Sequence, residues 1–221
     1  MAGKERPRLL FIPTASSDSE RLVEAAEKHF ASLGCEVDVL YLVRETPSYK
    51  AIKNKVETAD IIYVGGGNTL MMMRKWRRLG VDKLVRKAYA GGTVLSGLSA
   101  GAICLFTSGH SDSLSFYNPE DWGYIRVHGM GLIPATVCPH YDSETKGKPR
   151  EHHFKKMMGK GGMGIALEDN CALEVVDGQY RLITSQAGKH AYLVYREKEK
   201  VIQDIIPKHN KLKPLDELLT R

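Results

Sequence analysis

Ser99 stands at the centre of Gly97-Leu98-Ser99-Ala100-Gly101. Small residues on either side of a serine permit a sharp turn that lifts its hydroxyl clear of the backbone, which suits a nucleophile. An attacking hydroxyl needs a base for its proton and donors for the charge that develops on the attacked carbonyl oxygen. Among eight histidines, His140 is the best-placed base. Residues 135–137 read as a short strand, and Cys138-Pro139-His140-Tyr141-Asp142 ends it. His29 falls in a helical stretch, His152 and His153 in another, His190 at a late strand and His209 in a Lys-rich tail. His110 and His128 fall in Gly-containing loops and remain open. The imidazole in turn needs a carboxylate to fix its tautomer. Glu168, after the apolar run 163–167, and Asp112, beyond the elbow, both qualify; Asp142 is too close to His140 in sequence. Gly65-Gly66-Gly67-Asn68-Thr69 is a second Gly-rich turn, whose N–H groups with that of Ala100 suit an oxyanion hole. Neither GxGxxG nor GK[ST] occurs, so a nucleotide loop is unsupported.

These residues require elements that bring them to one rim. Residues 8–12 form an apolar run closed by Pro13 and read as a buried strand. Ser17-Asp18-Ser19-Glu20 offers a capping box for a helix that Gly34 stops. Residues 36–43, 61–64 and 93–95 read as further strands, with helices at about 49–59, from 69 onward and at about 82–90. Strand and helix alternate, and the strands are largely apolar, which predicts a parallel sheet covered on both faces. Ligands then bind beyond the carboxyl ends of the strands, where both Gly-rich turns lie. The last third, with strands at 172–176, 180–184, 191–196 and 201–206, predicts antiparallel hairpins. Ser108-Gly109-His110 and Gly161-Gly162 read as loops near the site. A helix after the elbow would aim its positive end at Ser99.

The 221 residues suit one domain spanning 1–221, with no repeat or linker. A hydrophobic share of 43% with 26% charged residues excludes wholesale disorder. No apolar stretch is long enough to cross a membrane, and the start is too short on apolar residues for a signal peptide. Four scattered cysteines without a CxxC predict reduced thiols in a cytoplasmic protein. Cys104 and Cys138 read as small apolar packing residues. No Cys or His spacing suits a metal, so neither metal nor cofactor is expected.

The two glycine motifs and Pro139-His140-Tyr141, in that order, resemble the peptidase E family. These are the aspartyl dipeptidases of peptidase family S51, which also includes the cyanophycinases. The resemblance spans roughly residues 8–190. It implies an α/β flavodoxin-like fold related to class I glutamine amidotransferases, and a Ser-His-Glu triad that maps to Ser99, His140 and Glu168. It implies hydrolysis of dipeptides with an N-terminal aspartate through an acyl-enzyme, with no cofactor. The nucleophile–base–acid order differs from that of α/β-hydrolases. The family's Glu-Thr-Arg-Glu segment, whose arginine grips the substrate carboxylate, has its nearest match in Lys148-Pro149-Arg150-Glu151. Only Arg-Glu is kept, which puts strict aspartate specificity in question. Gly66, Gly67, Asn68, Ala100 and Arg150 are the expected substrate contacts.

Two alternatives compete. One is a cyanophycinase-like hydrolase of β-Asp-Arg on the same scaffold. The other is a non-catalytic nucleic-acid-binding module, drawn from the net charge of +6 and the cluster Arg74-Lys75-Trp76-Arg77-Arg78. Helical spacing instead turns Met72, Met73 and Trp76 inward. The expected partner is a small acidic peptide, with no nucleic acid or membrane; the chain itself is expected as a monomer or homodimer.

Overall fold

The computed structural model describes residues 3–159 and 162–220. The expected Gly161 loop lies outside the described residues. The N-terminal half alternates strand and helix as its apolar runs require. The order is β1 (Arg8–Ile12), α1 (Glu20–Ser32), β2 (Glu36–Val39), α2 (Tyr49–Thr58), β3 (Ile61–Val64), α3 (Thr69–Leu79), α4 (Val81–Ala90) and β4 (Val94–Gly97). The four strands pair in parallel in the order β2-β1-β3-β4. Period-two alternation divides β1 between two cores. Leu10 and Ile12 pack with Met72, Met73 and Trp76 of α3, while Leu9 and Phe11 pack with Val23 and Ala26 of α1.

After β4 come α5 (Ala100–Ile103), β5 (Phe106–Ser111), β6 (Ile125–His128), β7 (Ile133–Cys138), β8 (Glu144–Thr145), β9 (Lys148–Pro149), α6 (Arg150–Met158) and β10 (Met163–Leu167). The strands β11 (Cys171–Val176), β12 (Gln179–Thr184), β13 (Ala191–Glu197), β14 (Lys200–Ile205) and β15 (Lys213–Pro214) follow, then α7 (Leu215–Leu219). A six-stranded sheet runs β14-β13-β10-β7-β5-β6. Its centre, β5-β7-β10, is parallel and its flanks antiparallel. The hairpin β11-β12 packs Tyr180 and Leu182 onto its inner face. The α/β class therefore holds, with the parallel strands shared between two sheets and the late hairpins antiparallel.

Local readings change at several points. Ser108, Gly109 and His110 lie inside β5 rather than a loop, because Ser108 and Gly109 pair with Thr136 and Val137 of β7. His128 ends β6. Ser19 precedes α1 without a side-chain cap; Asp18, at φ 56°, instead accepts the N–H groups of Leu42, Val43 and Arg44. The carboxylate thus ties the turn after β1 to the segment after β2. The elbow helix α5 is a single turn, too short for its dipole to contribute much at Ser99. Trp76 is fully buried and donates its indole N–H to Thr14, so the basic cluster offers no aromatic face for stacking bases. No helix among the described residues is long and apolar enough to cross a membrane.

Candidate active site

Ser99 adopts φ 55° and ψ −109°, a strained conformation for a residue with a side chain. Its neighbours show why the turn must be built from glycine. A Cβ on Gly97 would lie 2.3 Å from the Gly101 backbone, and one on Gly101 would lie 2.0 Å from the Val64 carbonyl oxygen. Gly101 thus lets α5 press directly against β3. The Gly-rich turn after β3 meets the elbow: a Cβ on Gly66 would sit 3.2 Å from the Ser99 Cβ. Gly67, at φ 133°, lies so close to Ala15 that a Cβ would come within 2.2 Å of its carbonyl oxygen. Among the described residues, the N–H groups of Gly66, Gly67 and Ala100 have no acceptor. They flank the serine at the open ends of β3 and β4, where an oxyanion would be held.

His140 lies just past β7, also at positive φ (55°). Its Nδ1 donates to the Asp169 carboxylate at 2.5 Å. Asp169 also accepts the Ser143 hydroxyl at 2.8 Å. Partial burial pushes the Asp169 carboxyl up, but the bonds from His140 and Ser143 outweigh it and hold the group below its ordinary value. With Nδ1 bound to a carboxylate, the lone pair of His140 sits on Nε2, free to accept a proton. No hydrogen bond joins Ser99 and His140 here, but both line one cavity of about 200 Å³, as do Asp169 and Leu173. Such contacts commonly tighten only when substrate is bound.

The carboxylate on His140 is therefore Asp169, and the assignment to Glu168 is corrected by one residue. Glu168 accepts the His190 N–H at 2.8 Å and the Tyr192 hydroxyl at 2.9 Å. Strand alternation explains the difference. Ile165 and Leu167 face the cluster that holds Ile103 of the elbow helix, whereas Ala166 faces Tyr141 and Tyr192. Continued past the strand, residue 168 falls on the Tyr192 side and residue 169 on the elbow side. That parity was present in the sequence. Asp112, the other candidate acid, is also turned elsewhere. It accepts from Arg150 Nη2 at 2.7 Å and from the Thr145 hydroxyl at 2.9 Å.

Arg150 is correspondingly not an open carboxylate receptor. It is 6% exposed, bonded to Asp112 and to the Thr145 hydroxyl, and packed against the Tyr124 ring. Nor is it among the residues lining the cavity at Ser99. Asn68, an expected substrate contact, caps α3: its side-chain oxygen accepts the Met71 N–H and its own N–H bonds Ala15, so those two groups are already engaged. Cys104 and Cys138 are fully buried, and burial pushes both thiols well up, so neither supplies a thiolate. His110 is buried against Tyr124, with its ring nitrogens towards His153 and Cys138. Burial, then the nearby Arg150 charge, lowers its pKa to about 3. Among the described residues no group of side chains could hold a metal ion.

A strand, a strained serine, a one-turn helix and a carboxylate-bound histidine on one cavity have the geometry of a nucleophile elbow with a candidate base. The sequence model of "Peptidase family S51" matches residues 1–183. The chain belongs to peptidase family S51. It is 32% identical over 207 residues to "Uncharacterized peptidase YgaJ" of Bacillus subtilis strain 168, covering 92% of this chain and 85% of that protein. It is 28% identical over 228 residues to "Peptidase E" of Nostoc sp., covering 99% and 86%. Among solved structures, a peptidase from an acI-B1 actinobacterium superposes with a TM-score of 0.71 at 20% identity, over 96% of this chain and 85% of that one. This agreement concerns the fold alone.

Proposed function

We propose that this family S51 peptidase is a serine-type enzyme that cleaves short peptides through Ser99, His140 and Asp169. The observation that carries the reading is the His140–Asp169 hydrogen bond on the cavity that Ser99 lines. His140 Nε2 takes the Ser99 proton as the hydroxyl oxygen attacks the scissile carbonyl. The carbonyl oxygen becomes an oxyanion, held by the N–H groups of Ala100 and of Gly66 or Gly67; one such donor contributes about 100- to 1,000-fold in rate. Imidazolium then protonates the leaving amine, and an acyl group remains on Ser99. Water gives a proton to His140 and attacks the ester; the imidazolium returns that proton to Ser99 Oγ as the acid leaves. Asp169 stays ionised throughout and stabilises the imidazolium.

The resemblance implied an N-terminal aspartate in the substrate. The Asp112–Arg150 pair argues against that preference, because the arginine already holds an internal carboxylate. The same pair leaves β-Asp-Arg without a receptor for its free carboxylate. A dipeptide panel on wild type and Ser99→Ala tests the central claim. Hydrolysis by wild type should fall by about 10⁴-fold or more in Ser99→Ala, with an unchanged melting temperature. Equal activity in the two proteins would remove Ser99 as nucleophile.

A further inference from the structure

We propose that the substrate residue whose carbonyl Ser99 attacks places an apolar side chain in the cleft between the free edge of β4 and the β5-β7-β10 face. This rests on Ser99 being the nucleophile and adds the substrate class. Three observations support it.

The first is an unpaired strand edge that leads straight to the serine. β4 ends its sheet. The N–H groups of Val94 and Leu98 bond to β3-side carbonyls, at Asp60 and Val64. In a parallel ladder alternate residues face one neighbour, so the N–H and C=O of Leu95 and Gly97 face the other way, towards the cleft. An extended peptide can lie along such an edge with main-chain hydrogen bonds.

The second is the cleft's size and lining. Leu95, Leu98, Leu105, Phe106, Ile133 and Leu173 line it. Its polar residues include Ser96, Ser99, His140, Asp169 and Asn170. Its volume is about 200 Å³. An apolar cavity of about 150 Å³ takes up benzene, so this space accommodates a leucine or phenylalanine side chain.

The third is charge. Glu168 and Asp169 both line it, but the Glu168 carboxylate is turned to His190 and Tyr192, so Asp169 is the carboxylate that faces it; among the described residues no Lys or Arg lines it. An aspartate side chain placed there would lose water beside the Asp169 carboxylate, with no cation on the cleft wall to pair with it. Arg150, the cation that could have served it, is held by Asp112.

The test combines a serine-directed probe with a peptide panel on the full chain. A fluorophosphonate labels an active serine, its oxygen displacing fluoride at phosphorus. Labelling of wild type and not Ser99→Ala is expected; no labelling would overturn the nucleophile and this inference with it. Given labelling, dipeptides that begin with Leu, Phe, Asp or Lys are compared by kcat/KM and by protection of Ser99 from the probe. Leu and Phe should exceed Asp by about tenfold or more in both readouts. A flat profile, or a preference for Asp or Lys, would overturn the apolar cleft while leaving the serine peptidase intact. Leu173→Arg, in a chain that still labels, should shift the Asp/Leu ratio upward by about tenfold; an unchanged ratio counts against the cleft.

Discussion

The Asp169 carboxylate accepts from both His140 and Ser143; the Ser143 bond fixes the carboxylate, and the carboxylate orients the ring that the proposed mechanism uses as base. Asp169→Asn should leave the imidazole in the wrong tautomer and lower kcat by about 10³- to 10⁴-fold. Glu168→Gln should behave differently. It weakens the tie from β10 to Tyr192 and His190, so it should lower stability by about 1–3 kcal/mol while kcat changes far less. Kinetics and thermal melts on the two variants separate these roles; a kcat loss confined to Glu168→Gln would reverse the assignment. Burial and the Glu168 bond also push the Tyr192 phenol up to about 12, so it remains a donor to that carboxylate across the working pH range. At this scale sequence reasoning named Ser99 and His140, which the fold brings to one cavity. It named Glu168, one position from the carboxylate that bonds His140, because it read the top of β10 as a place, without following which face each side chain takes.

At the scale of elements, the elbow is a contact between backbones. Gly101 has no room for a methyl group against Val64, whereas at Gly66 the nearest atom to an added Cβ is the Ser99 Cβ at 3.2 Å. The two glycines should therefore respond differently. Gly101→Ala should destabilise the fold by several kcal/mol, since α5 must move off β3. Gly66→Ala should fold, but crowd the nucleophile and lower kcat by about tenfold or more. Chemical denaturation with activity on the same samples checks this; a fully active Gly101→Ala protein would contradict the packing. The motif spacing revealed the elbow and the strand before it. It did not reveal that the following helix is one turn long, because β5 begins at Phe106; the Asn68 cap on α3, by contrast, is a local bond to Met71 that the sequence reading passed over.

For the whole molecule, the buried polar cluster around His110 sets the response to acid. His110 titrates near 6.5 when unfolded and at about 3 when folded. Below about pH 6.5 the unfolded chain therefore binds a proton that the folded chain refuses. Stability falls as pH drops towards 3, by up to about 1.4 kcal/mol per pH unit from this group. Asp169 acts in the same sense at lower pH: its depressed carboxyl contributes stability above the usual carboxylate range, lost as it is protonated. His110→Phe should flatten the acid limb between pH 6.5 and 3, measured by urea unfolding across that window; an unaltered slope would refute the burial of a neutral His110. The net charge of +6 has no concentrated role at the site, since Arg150 is neutralised by Asp112 and Trp76 is buried.

The sequence by itself determined the alternation of strand and helix, the two glycine turns, the serine and the histidine. Each follows from local rules: apolar periodicity, the steric freedom of glycine and the position of a residue at a strand end. Strand parity already separated residue 169 from residue 168; tertiary structure decided that Asp169 meets His140 and that Asp112 takes Arg150. Both depend on side chains distant in the chain, Asp169 meeting His140 across 29 residues and Asp112 meeting Arg150 across 38. An ion pair formed inside the fold removes a charge that a linear reading leaves available, and only the packed chain establishes which partner arrives.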